Sequence, residues 1–222
     1  MALEIELDGD PYHDLRIASV AGLYVTYLKR LADIAISTVA LFISFPIWLA
    51  AMLAIKVDSP GPIFFVQERV GLHGKPFRMI KFRTMRQDAE DLLPLLLAAN
   101  EAEGPVFKLA RDPRVTRVGD ILRRSSLDEL PQFINVLRGE MSVVGPRPPL
   151  PREVMQYRPA DRVRLSVTPG ITCLWQVSGR SRIGFEEWME LDRRYVRERS
   201  LSLDLQILLR TVVVVLARDG AY

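Results

Sequence analysis

From Ile34 to Ile55 the chain runs through 22 residues, IAISTVALFISFPIWLAAMLAI, without a charged side chain. As an α-helix this run measures about 33 Å, against a bilayer hydrocarbon core of about 30 Å, so it is long enough to enter or cross a membrane. Acidic residues ahead of it, and no small-residue cleavage site behind it, exclude a removable signal peptide. Pro46 lies at its midpoint. A proline there lacks a backbone donor and crowds the carbonyl four residues earlier, so the helix is expected to kink. Lys29 and Arg30 precede the run, while Lys56, Arg69, Lys75, Arg78, Lys81, Arg83 and Arg86 follow it. Basic flanks favour the cytoplasmic side. A re-entrant hairpin bent at Pro46 satisfies both flanks, and an ordinary span with a tolerated proline is the alternative.

The remainder has room for one domain or little more, at 222 residues in all. Charged residues at 26% and hydrophobic residues at 49% exclude a disordered, collagen-like or polytopic membrane chain. A lone Cys173 forms no intramolecular disulfide, and His13 and His73 with it make no zinc cluster, so any metal is expected to be oxygen-ligated. The net charge of +3 divides unevenly: residues 1–28 carry five acids against Arg16, a balance of −4, which leaves +7 for the rest. Arginine outnumbers lysine 25 to 5. Either the planar fork that matches phosphate or a GC-rich genome accounts for that bias.

Beyond the apolar run, SPGP at 59–62 signals a turn. IFFVQ and FRMIKFRTM then read as short strands or extended segments, with GLHGKP as the connecting turn. Residues 88–103 are helix-prone, with Pro94 as a break. Leu130, Phe133, Ile134 and Leu137 recur at helical spacing ahead of Gly139, which predicts a helix from Ser126 to Arg138. VGPRP enforces an extended passage, TPGIT at 168–172 reads as a turn, and 185–199 as a helix. The tail 201–217 has only Asp204 and Arg210 as charges, and reads either as a core helix or as an amphipathic helix in a membrane interface.

Two constellations are able to carry chemistry. Asp128 and Glu129 are adjacent at a helix start, just after Arg123 and Arg124. Neighbouring helical positions differ by about 100°, so the pair divides two roles around one phosphate: attack on phosphorus and retention of Mg²⁺, a hard ion suited to oxygen ligands. Against this stands a plain alternative, since Ser126-x-x-Glu129 is also a capping-box pattern. The second constellation is Arg147 in GPRP with Arg180 in VSGR. Flanking prolines keep Arg147 extended and lower the entropy lost on meeting an anion, although a rigid surface turn reads the same way. Lys81 and Arg83 either join that anion site or meet lipid headgroups.

No GxxxxGK[ST] loop and no GxGxxG is present, and two histidines supply no Ser/His/Asp triad. Any nucleotide must therefore be held by arginines. A second class of function fits part of the same pattern: a non-catalytic membrane-surface protein whose Arg-rich stretch 108–124 binds anionic lipid. Nucleic acid is a poor partner, because aromatics are not interleaved with that stretch as stacking requires.

Taken together, KFRTM (81–85), VFKLARDPRVTRVGDILRRSSLDELPQFINVLRGEMSVVGPRP (106–148), PGITCLWQVSGR (169–180) and ELDRRYV (190–196) closely resemble the bacterial sugar transferases, the polyprenyl-phosphate hexose-1-phosphate or monotopic phosphoglycosyl transferases. The resemblance covers Lys29 to the C-terminus. It implies a mainly α fold with short β segments (α+β): after the acidic leader at 1–28, a re-entrant membrane helix at 29–57 and a compact cytoplasmic catalytic domain at 58–222 with interfacial amphipathic helices. It also implies transfer of a sugar 1-phosphate from a UDP-sugar to a polyprenyl phosphate, usually undecaprenyl phosphate, with release of UMP. That reaction starts polysaccharide or glycoconjugate assembly at the cytoplasmic face of the bacterial inner membrane. By the same resemblance Asp128 is the nucleophile of an aspartyl phosphosugar intermediate and Glu129 the Mg²⁺ ligand. Arg123 and Arg147 contact phosphate and nucleotide, with Lys81 and Asp192 in support. The 106–119 stretch is similar to members that use UDP-glucose or UDP-galactose. A homodimer is left open. Three departures stand out: Phe45, where relatives often place serine before the bending proline; Cys173, where glycine is common; and the acidic leader, where larger relatives carry several membrane spans.

Overall fold

The apolar run folds as one unbroken helix, α1 (Lys29–Asp58), with Pro46 inside it and Ser59 in extended backbone as its stop. The computed structural model describes residues 24–102, 104–179 and 183–217, so most of the leader and Arg180 lie outside the described residues. The helix is mounted inside out. Phe42, Ile43, Leu53 and Val57 are 68–83% exposed, whereas Asp33, Ser37 and Ser44 are buried on the opposite face. A helix on a water-soluble body turns its apolar stripe inward. The reverse arrangement suits hydrocarbon surroundings, and α1 is long and apolar enough to cross a membrane. Ser44 Oγ lies 3.5 Å from the Leu41 carbonyl, one residue short of the Phe42 carbonyl whose amide partner Pro46 removes.

The two arms of α1 rest on the same body by different means. At its start Arg30 donates to the carbonyls of Val136 (2.6 Å) and Leu137 (2.9 Å), and Asp33 accepts from Ser142 Oγ (3.0 Å) and the Val143 amide (2.9 Å). Lys29 donates to the Val144 carbonyl at 2.9 Å and pairs with Asp204. At the other end Ala51 and Ile55 pack with Phe82 and Leu122, joined by Trp48, Leu127 and Leu130. Trp48 meets Phe82 edge-on at 5.1 Å between ring centres.

Strands β1 (Phe64–Val70) and β2 (Pro76–Phe82) form the expected antiparallel hairpin, in register from Phe64 opposite Phe82 to Val70 opposite Pro76. Helix α2 (Ala89–Leu96) runs through Pro94 instead of breaking there, and passes into a 3-10 turn at Leu97–Ala99. Helix α3 (Arg117–Arg124) begins at Thr116, whose hydroxyl accepts from the Gly119 amide. The helix expected from Ser126 to Arg138 is split in two. Ser126 takes a left-handed conformation (φ 56°), Leu127–Glu129 makes a 3-10 turn, and only Gln132–Arg138 is α-helical, as α4. The reason is Pro131, which sits at the boundary and donates no amide hydrogen.

β3 (Ser142–Val144) and β4 (Gly170–Thr172) form a parallel pair. The TPGIT segment is therefore a strand entered through Pro169, where the sequence suggests only a turn. A Cβ on Gly145 or Gly170 would overlap the opposing backbone, so glycine is required where the two strands touch. Between them runs the short α5 (Pro151–Val154), and beyond them α6 (Phe185–Glu198) and α7 (Leu201–Ala217). The central core is Met79, Val136, Met141, Val143, Val144, Leu174, Tyr195 and Ile207. Each such fully buried side chain contributes about 1.5–3 kcal/mol. Cys173 is buried beside it, its thiol donating to Gln176 Oε1 at 3.0 Å, and burial raises the thiol's pKa. On α7 only Asp204 and Ile207 are buried, while Leu205, Leu209, Val212, Val213 and Leu216 face outward. The described chain is thus mostly helical, with two small sheets and one long apolar helix.

Candidate active site

Asp128 occupies the middle of the 3-10 turn between α3 and α4. Leu127 and Leu130 on either side of it pack into the apolar cluster of α1, which carries the Asp128 side chain inward until the residue is 9% exposed. Burial pushes its carboxyl up to about 6, and Glu129 adds to the rise. Lys81, Arg123 and Arg147 pull the other way. Four of the residues singled out in the sequence therefore converge on this one carboxyl. The capping-box alternative is not built, because Ser126 is left-handed and makes no side-chain cap bond.

Glu129 pairs with Lys81 at 2.8 Å, and Arg147 Nη1 stands 4.0 Å from the same oxygen. Asn135 brings the lysine there. Fully buried in α4, it accepts from the Ile80 amide (3.0 Å) and donates to the Arg78 carbonyl (2.7 Å), locking α4 beside β2. Its amide also donates to Glu140 at 2.7 Å.

Arg147 is aimed by its loop. Pro146, Pro148 and Pro149 offer no amide hydrogens, so the loop is gripped mainly by its carbonyls. All four are taken: Pro146 by the Gly170 amide (2.9 Å), Arg147 by Arg164 (2.8 Å), Pro148 by Arg69 (3.0 Å) and Pro149 by the Val70 amide (2.9 Å). This is not the free surface turn that GPRP alone permits. Burial, with Arg147 nearby, lowers the Arg69 pKa to about 9, which leaves it charged at neutral pH.

Two expected positions fall elsewhere. Arg83 joins neither the anion site nor an exposed headgroup row; buried, it donates to the carbonyls of Ser59 and Pro60 and fixes the exit of α1. Asp192 is 1% exposed and pairs with Arg164 at 2.8 Å. Arg180 lies outside the described residues. Sequence reasoning misses Arg69, Arg164 and Asn135. In the chain they resemble ordinary solvated side chains, and the one signal Arg69 and Arg164 share is the need of a proline-rich segment for outside donors.

Among the described residues no three Asp, Glu, His or Cys side chains gather as a metal site. The donor set at Asp128 and Glu129 is two carboxylates. That fits an ion such as Mg²⁺, which usually takes one or two carboxylates and completes its shell with substrate phosphate oxygens and water.

Residues 24–218 match the family described as bacterial sugar transferase, and the chain belongs to that family. It is 46% identical over 194 residues to galactosyl transferase CpsE of Streptococcus agalactiae serotype III, covering 87% of this chain and 43% of that protein. It is 40% identical over 198 residues to exopolysaccharide production protein ExoY of Rhizobium meliloti, covering 87% of this chain and 88% of ExoY. With the UDP-glucose:undecaprenyl-phosphate glucose-1-phosphate transferase of Escherichia coli K12 it shares 39% identity over 225 residues, or 98% of this chain and 46% of that one. The chain thus spans less than half the length of CpsE and of the Escherichia coli protein.

Proposed function

We propose that this chain is a membrane-associated phosphoglycosyl transferase that moves a hexose 1-phosphate from a UDP-sugar to a polyprenyl phosphate and releases UMP. The observation that carries this reading is the buried Asp128 carboxyl, under the positive charges of Lys81, Arg123 and Arg147, in a turn packed directly on the apolar helix. A lipid acceptor and a nucleotide donor need to meet at such a place. Relatives named for undecaprenyl-phosphate glucose and galactose transfer support glucose or galactose as the sugar.

In this mechanism an Asp128 oxygen attacks the phosphorus that bears the sugar. The bond from that phosphorus to the bridging oxygen breaks, and UMP leaves with the electron pair. An oxygen of the polyprenyl phosphate then attacks the same phosphorus and frees the Asp128 carboxylate. Arg147, Arg123 and Lys81 neutralise charge on the phosphates, and this positioning and charge balance is most of what phosphoryl transfer requires. Glu129 would hold Mg²⁺, which when bound supplies further charge neutralisation at the diphosphate.

The helix α1 enters the membrane as a re-entrant element bent at Pro46, with both ends on the cytoplasmic face of the bacterial inner membrane. Support comes from its two arms resting on one body and from the basic residues on both flanks. The outward apolar face of α7 lies in the interface.

The test is UMP release by protein in nanodiscs given Mg²⁺, undecaprenyl phosphate and, in turn, UDP-glucose, UDP-galactose and their N-acetyl forms. Without lipid, up to about one equivalent of UMP should appear while the sugar phosphate stays on the protein. Asp128→Asn should abolish both events. Liposome binding with no UMP release from any donor would instead favour the non-catalytic lipid-binding protein.

A further inference from the structure

We infer that Arg164 is a positioning residue for Arg147, acting through the Arg147 main-chain carbonyl with Asp192 as its brace; this rests on the reading of Arg147 as a phosphate-binding side chain. Arg164 is 2% exposed and, among the described residues, heads the fully buried side chains by volume. Nη1 donates to Tyr157 Oη at 2.6 Å, and Nη2 donates to the Arg147 carbonyl at 2.8 Å. The Asp192 carboxylate pairs with Nη2 at 2.8 Å. The guanidinium carbon lies 5.1 Å from the Trp188 ring and 5.5 Å from the Tyr157 ring. One flat group thereby lies against two rings, hydrogen-bonded to two oxygens and ion-paired with a third.

Burying such a charge is costly, and an apolar side chain of similar volume is often as good or better for stability. A residue needed only to fill space would therefore not have to be arginine. What the charge supplies is a rigid donor for a loop whose three prolines offer no amide hydrogens. The backbone torsions at Arg147 decide where its side chain points, and Arg164 grips the carbonyl that reports those torsions. The partly exposed Arg147 side chain, at 33%, faces Glu129 on the other side of the same backbone. Arg69 holds the next carbonyl, so the loop is clamped on both sides of the peptide that follows Arg147. Asp192, which sequence reasoning places at the substrate, belongs to this brace.

The experiment is a double-mutant cycle in full-length protein, with Arg164→Met, Arg147→Ala and their combination. Its readouts are KM and kcat for the UDP-sugar, equilibrium binding of UDP, and thermal unfolding to count folded molecules. Arg164→Met should raise KM and weaken UDP binding at least tenfold per folded molecule in the wild-type background, and should change neither in the Arg147→Ala background. Additive losses in the two backgrounds, or an unchanged KM in Arg164→Met, would overturn the inference. Should Arg164→Met not fold, Arg164→Lys decides in the same cycle. Lysine keeps the charge but lacks the planar fork whose two nitrogens reach the Tyr157 hydroxyl and the Arg147 carbonyl, so a KM rise that vanishes without Arg147 supports the role, and an unchanged KM rejects it. Wild-type protein that releases no UMP, or Arg147→Ala protein that binds UDP as the wild type does, defeats the site reading and this inference with it. A normal Arg147→Ala loss beside an additive Arg164 effect defeats the inference alone.

Discussion

The two arms of α1 hold the two halves of the candidate site by opposite physics. The first arm, through Arg30 and Asp33, grips the end of α4 and the start of β3 with charge-assisted hydrogen bonds, and β3 leads straight into the loop that carries Arg147. The second arm, through Ala51 and Ile55, shares an apolar cluster with Leu127 and Leu130, the neighbours of Asp128. Hydrogen bonds to buried groups are directional and fix register, whereas apolar packing adheres without direction and repacks when a methyl is lost. The arginine half is therefore aligned and the aspartate half is embedded, with Pro46 between the two supports.

The largest effect is expected where the apolar arm is cut. Ile55 is 2% exposed, and Ile55→Ala should cost about 2–5 kcal/mol of stability through the cavity it leaves. Activity per folded molecule should fall little, because the cluster closes in without a preferred direction. Unfolding midpoints in detergent beside UMP release per folded protein measure this, and a stable variant with lost turnover would break the comparison.

Cutting the polar arm should do the reverse. Asp33→Ala strands the Val143 amide and the Ser142 hydroxyl, for a stability loss of about 1.5–3 kcal/mol. Its main consequence should be a higher KM for the UDP-sugar, as β3 no longer sets the Arg147 loop. A drop in kcat with KM unchanged would show that this arm serves Asp128 instead.

A smaller effect comes from acidity on the arginine side. Burial pushes the Asp192 carboxyl up to about 6 against the pull of Arg164, above the roughly 3.9 of an unfolded chain. The folded protein then binds this proton more tightly than the unfolded one, so this contribution to stability is fully present below the unfolded value and is lost as pH rises through about 6. Unfolding midpoints should be higher at pH 5 than expected from neutral pH, and the slope should shrink in an Asp192→Asn/Arg164→Met double variant. An unchanged slope would place the titration elsewhere.

The smallest effect on stability should come from Pro46, whose surroundings are exposed apolar side chains. Pro46→Leu restores an amide donor and favours a straighter helix, shifting some molecules from re-entrant to spanning. Cysteine labelling near residues 27 and 75 reads the outcome. Labels that report opposite sides in the unaltered protein would reject the hairpin.

Much of this was legible in the chain. The hairpin at 64–82 follows from alternation around a glycine-rich turn, α6 from its helical run, and α7 from its long stretch with only two charges. The cluster of Asp128, Glu129, Arg123, Arg147 and Lys81 follows from the resemblance of its motifs. Local signals failed where two tendencies competed. The apolar spacing from Leu130 onward suggested one helix from Ser126, and the missing amide of Pro131 divided it. Pro94, in contrast, was absorbed into α2.

What the sequence by itself determined is what acts over a few residues: the length and apolarity of α1, the turn chemistry of the hairpin, and the extended GPRP backbone. Only the tertiary structure decided that Arg69 would hold Pro148 across 79 positions, that Asn135 would tie α4 to β2 across 55, and that Arg83 would close the end of α1 instead of meeting an anion. The physical reason is that a buried charge or amide takes its role from the acceptor that burial brings to it, and that acceptor lies far along the chain. Propensity describes each residue's own backbone, whereas the pairing of orphaned carbonyls is settled only when the whole core closes.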